Sequence, residues 1–194
     1  MEDFILYFGT GWHHIISADA LDHILFVVAL ASVYLVKNWR QILVLVTAFT
    51  IGHSLTLALS VYDVIRFNQN WVEFLIPCTI LITAVYNFTI AKVDRNKLHW
   101  NYLLALFFGL IHGMGFANSI RFMLSKQQGI AVPLISFNIG LEAGQIVVVA
   151  VILALSYGVV NKLKLRQQWW TIGLSSLAFV MALKMAAERI GGLL

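Results

Sequence analysis

The chain has 194 residues, 60% apolar and only 11% charged, with a formal net charge of +4 and a mean hydropathy of +0.85. An ordinary soluble domain is about 45–50% apolar and about 25% charged, and so few charges would not cover a water-facing surface. A water-soluble globular enzyme, a nucleic-acid binder and a disordered chain are excluded, and the alternating ten-residue segments of a transmembrane barrel are absent.

What remains is an all-α polytopic membrane protein, a bundle of about six transmembrane helices in one domain, 1–194. The first uncharged run, 24–36, is too short for the usual span of about twenty residues. It must borrow the turns before it, which hold Asp19, Asp22 and His23. The expected helices are 15–36, 41–62, 72–91, 98–120, 131–160 and 167–189. Pro133 suits a first helical turn of the fifth. The acidic opening Met1-Glu2-Asp3 lacks the positive charge of a cleavable signal peptide, and the lone Cys78 forbids an intrachain disulfide.

With the N-terminus outside, the cytoplasmic loops carry Lys37, Arg40, Lys92, Arg95, Lys97, Lys162, Lys164 and Arg166, eight in all. The outer segments carry Arg66, Arg121, Lys126, Lys184 and Arg189, which is five. Basic loops stay in the cytoplasm, so both termini are expected outside.

Ionisable side chains inside hydrocarbon are costly and functional by default. The first helix has Asp22 and His23, preceded by His14 and Asp19; the second has His53, the fourth His112 and the fifth Glu142. At 1.5 Å per residue, His53 and His112 lie about 18 Å and about 20 Å from the starts of their helices. Glu142 lies about 14–18 Å from the opposite end of its own helix. One layer for His23, His53, His112 and Glu142 is therefore expected, with His14 and Asp22 at its mouth as further candidate metal ligands. Imidazole nitrogen with carboxylate oxygen is a ligand set for Zn²⁺, Ni²⁺, Co²⁺ or Fe²⁺. Asp19 is open between ligand, outer support and helix cap. Asn138 and Gln145 share a helix face with Glu142 and are expected to orient ligands. Glu73 is open between a helix cap and a place at the site's mouth. Gly109/Gly113 and Gly140/Gly144 would let helices approach closely.

The blocks His14-Ile-Ile-Ser with Leu21-Asp-His-Ile-Leu-Phe26, Phe49-Thr-Ile-Gly-His-Ser-Leu-Thr-Leu-Ala58, Phe108-Gly-Leu-Ile-His-Gly-Met-Gly-Phe-Ala117 and Phe137-Asn-Ile-Gly-Leu-Glu-Ala-Gly-Gln145 together resemble the HupE/UreJ family of bacterial membrane proteins. The likeness is to its shorter branch, with seven residues between His14 and Asp22. It implies handling of a divalent metal, usually nickel and also cobalt, in the bacterial cytoplasmic (inner) membrane. A permease for Ni²⁺, Zn²⁺ or Co²⁺ is the favoured reading, with Glu142 taking up a proton as the ion leaves. No nucleotide-binding motif is present, so transport would draw on a gradient or a partner, and a homo-oligomer is left open. The alternative is an intramembrane zinc-dependent hydrolase in which Glu142 or Asp22 serves as general base.

Overall fold

A computed structural model of the chain describes residues 2–17, 20–89, 98–124 and 129–193. Among these are seven α-helices and no strand: α1 (Glu2–Ile16), α2 (Leu21–Ala31), α3 (Trp39–Val61), α4 (Gln69–Thr89), α5 (Leu98–Leu124), α6 (Ala131–Ser156) and α7 (Gln167–Ile190). The last five lie in segments long and apolar enough to cross a membrane, and the α1–α2 pair makes a sixth when counted as one span. The molecule is thus a polytopic helical bundle, as its composition requires.

The first span departs from expectation. The single helix expected over 15–36 is instead two helices whose axes diverge by 66°. At 15 and 11 residues they reach about 22 Å and about 16 Å, each short of the hydrocarbon core of about 30 Å. Only together are they long enough to cross it. Asp19 lies outside the described residues, as do Lys92, Arg95, Lys97 and Lys126.

Glycines set the helix directions. A Cβ at Gly109 would overlap the Phe49 carbonyl, and one at Gly113 would strike His53 and Thr56. Positions on α3 and α5 rise together, so these helices run parallel with their backbones touching. In the same way Gly140 meets Phe8 and Trp12, and Gly144 meets Trp12 and Ile15. Hence α1 runs parallel to α6.

The start of α1, the 62–68 turn and the end of α7 therefore share one face, where Asn70 Nδ2 donates to the Gly192 carbonyl at 2.7 Å. The opposite face holds the end of α2 and the start of α7: Gln167 Nε2 donates to the Val33 carbonyl at 2.7 Å and Thr171 to that of Ser32 at 2.9 Å. Just inside it, Asn87 Nδ2 reaches the Ala29 carbonyl and the hydroxyls of Ser32 and Ser175 at 2.7–3.1 Å, tying α2, α4 and α7 together.

The two faces differ in how their cations are held. On the terminal face Arg66 pairs with Asp63 at 2.6 Å, and Arg121 lies 3.4 Å from the same carboxylate. The Arg66 guanidinium holds the Asp63 carboxyl below its usual range. Lys37, Arg40, Lys162, Lys164 and Arg166 on the opposite face make no ion pair with a described residue. That opposite face is called the basic face below.

Candidate metal centre

Three helices bring imidazoles to one point. His14 stands in the last turn of α1, His23 in the first turn of α2 and His53 past the middle of α3. Their ligating nitrogens all lie within 4.8 Å of one another. Two nitrogens held by one ion at about 2.0–2.1 Å stand about 3.4 Å apart in tetrahedral geometry, a closure that small ring rotations supply. The end of α1 and the start of α2 meet here, the arrangement of half-helix ends found beside ion sites in membrane transporters. The negative end of α1 favours a cation there.

The hydrogen bonds fix which nitrogens are free. His23 Nδ1 donates to Asp22 Oδ1 at 2.9 Å, which also takes the His23 backbone N–H. His23 Nε2 is left with a lone pair and no hydrogen-bond partner. His112, on α5, has its ring centred 5.0 Å from that of His23. Its Nε2 lies 2.9 Å from the Thr79 hydroxyl, whose one proton goes to the Ile76 carbonyl at 2.7 Å. Thr79 must therefore accept, so His112 Nε2 carries the proton and buried Nδ1 is the free nitrogen. Both nitrogens of His53 and Nε2 of His14 are also buried without partners. Buried polar atoms are nearly always hydrogen-bonded. A neutral imidazole has one lone-pair nitrogen, so the four rings could each offer one ligand atom, the type of donor a borderline metal ion takes.

Asp22 does not point a free oxygen at this cluster. Its Oδ1 orients His23, the outer-partner arrangement common at metal sites, and its Oδ2 lies 3.5 Å from Arg189 Nη2. Pro77 explains why Arg189 is there. Proline has no N–H and cannot bond the carbonyl four residues back, so the Glu73 carbonyl loses its helical donor. Arg189 Nη1 takes that carbonyl at 2.8 Å. Beside these groups a cavity of about 380 Å³ opens toward the terminal face, with His14, His23, His112, Asp22, Glu73 and Arg189 on its wall. Glu73 is thus at the mouth, its carboxylate accepting from Gln69 at 3.1 Å.

The remaining expected members lie elsewhere. Glu142 accepts from the Thr47 hydroxyl at 2.7 Å, six residues and about 9 Å along α3 from His53. It departs from the expected common layer. Gln145 accepts from Thr50 at 2.9 Å, and Asn138 donates to the Leu134 carbonyl of its own helix. Neither makes a hydrogen bond to an imidazole. The orienting groups are Asp22 and Thr79 instead. Thr79, two residues after a proline inside an apolar run, and Arg189, a charge within a membrane helix, were the signals available in the sequence.

The family model described as HupE / UreJ protein matches residues 1–189. The chain belongs to the HupE/UreJ family. No curated protein and no solved structure matches it. The HupE/UreJ family is associated with nickel and cobalt transport. In this HupE/UreJ chain the matched region holds all four clustered histidines, Asp22 and Arg189.

Proposed function

We propose that the protein is a permease for a divalent transition metal, Ni²⁺, Co²⁺ or Zn²⁺, with the ion held by His14, His23 and His53 and with His112 beside them. The convergence of three imidazoles with free nitrogens, His23 and His53 buried and His14 half-buried, carries this reading. Nitrogen donors without thiolate suit these ions, and the polar cavity leads to them from one face. Counting Lys and Arg favours that face as the outer side of the bacterial cytoplasmic membrane. A reporter that works only in the cytoplasm, fused after Leu194, should stay silent; a strong signal would reverse the orientation.

The hydrolase reading is weaker because both of its candidate bases are occupied. Asp22 is engaged by His23 and Arg189, and Glu142 by Thr47. Glu142 enters the proposal as the group that exchanges a proton during transport, away from the imidazoles. Wild type in proteoliposomes enclosing a metal-sensitive dye should take up Ni²⁺, Co²⁺ or Zn²⁺. Glu142→Gln should lower that uptake and flatten its pH dependence while still binding metal. Bound metal with no wild-type flux, under either sign of proton gradient, would overturn the permease reading.

A further inference from the structure

Toward the basic face a second cavity, of about 110 Å³, lies between α2, α4 and α5. Its lining is almost entirely apolar, and the few polar groups on its wall are already engaged. Tyr34 and Asn101 hydrogen-bond each other through their side chains. Thr83 donates to the Thr79 carbonyl at 2.8 Å, and Asn87 is held by α2 and α7. Water would find no free partner here, and apolar cavities take apolar guests instead. Ile82 on α4 and Leu104 on α5 stand on the rim, 56% and 42% exposed. In a bilayer such side chains face hydrocarbon, so the cavity opens sideways into lipid. Asn101 is three residues and Phe108 ten residues from the start of α5 at the basic face. The cavity therefore runs from about 4 Å to about 15 Å below that helix end, the depth of one leaflet of a hydrocarbon core about 30 Å thick.

We propose that this cavity binds one acyl chain of an anionic phospholipid whose headgroup lies at the basic face. The charges there fit such a headgroup. Lys37 follows Tyr34 by three residues and, like Arg40, makes no ion pair with a described residue. Cations beside transmembrane helices attract anionic lipid. Trp39 and Trp100, both exposed, stand at the level where aromatic rings meet headgroups. The inner end of the chain comes to Phe108, whose ring meets that of Phe26 edge-on at 6.0 Å. The Phe26 ring in turn lies 5.0 Å from that of His112. The lipid tail thus fills the space behind the rings that back the imidazoles.

Native mass spectrometry of the full chain, stripped of lipid in detergent and free of metal, tests this with dioleoyl phosphatidylglycerol as the probe. Wild type should retain the lipid, and should prefer it to phosphatidylcholine with the same chains. Ala105→Leu, which fills the cavity, and Leu104→Trp, which covers its mouth from an exposed position, should each lose that retention. Leu177→Trp, equally exposed but on α7, should keep it. Phosphatidylglycerol with a photoreactive group near the end of one chain should label α5 between Asn101 and Phe108 in wild type and in neither cavity variant. Added phosphatidylglycerol should raise the unfolding temperature of wild type and of Leu177→Trp but not of Leu104→Trp. Retention in both cavity variants equal to wild type, label falling outside α2, α4 and α5, or no preference for the anionic headgroup would overturn the assignment. With no metal present, the outcome is separate from that of the permease reading.

Discussion

His53→Leu should abolish metal binding and, without metal, leave the protein more stable than wild type. His53 is fully buried, and neither ring nitrogen has a hydrogen-bond partner. Each unsatisfied buried polar atom costs about 1–3 kcal/mol, and leucine fills similar space without that cost. A histidine kept for packing would show the opposite pattern, losing stability and keeping metal. Metal analysis of the purified protein and its thermal unfolding with and without Ni²⁺ read both signs. Asp22→Asn should give a smaller effect, a loss of about 10–100-fold in affinity, the usual cost of losing the partner that orients a ligating histidine. Glu142→Gln should bind as wild type does. Full occupancy in His53→Leu, or loss of metal in Glu142→Gln, would refute the assignment of ligands.

Gly109→Leu should prevent the bundle from assembling. Its added side chain would enter the space of the Phe49 carbonyl, which backbone cannot vacate without parting α3 from α5. One turn further along lie Gly113 and His53, in contact with each other, and His112 beside them. Separation at Gly109 therefore also spreads the imidazoles. Overpacking of a well-filled core costs about 1–3 kcal/mol when side chains can yield; here the obstacle is backbone and the cost is higher. Size-exclusion chromatography in detergent should show aggregate, and the soluble remainder should hold no metal. The contrast is Gly173→Leu, since a Cβ at Gly173 meets nothing within 4 Å; it should remain monodisperse. A folded, metal-binding Gly109→Leu would show that the close contact is dispensable.

The later spans were legible because charged loops punctuate long apolar runs, and length in a bilayer admits little choice. The first was not. Gly9, Gly11, His13 and His14 make α1 too polar to read as half a span, yet Gly11 is what lets it lie against Phe137 and Leu141 of α6. Polarity that looked extramembrane belongs to packing and to the site. His14, His23, His53 and His112 could be found because an imidazole in hydrocarbon needs a reason. Glu142 met the same criterion, but depth alone does not say where a side chain points. It lies five residues beyond Phe137, whose ring faces His53 and His14. At about 100° per residue that is a turn of about 140° around α6, away from the imidazoles and toward Thr47.

The link from Pro77 through the Glu73 carbonyl and Arg189 to Asp22 also bears on the order of biogenesis. α7 is the last of the described helices to leave the ribosome, and until it inserts, Asp22 has no guanidinium beside it and the Glu73 carbonyl has no donor. The nascent chain can place all four histidines in the membrane before the residue that steadies Asp22 exists. In the proposed permease, metal capture with full affinity would then wait for α7, and an ion met before α7 inserts would find a site still unbraced.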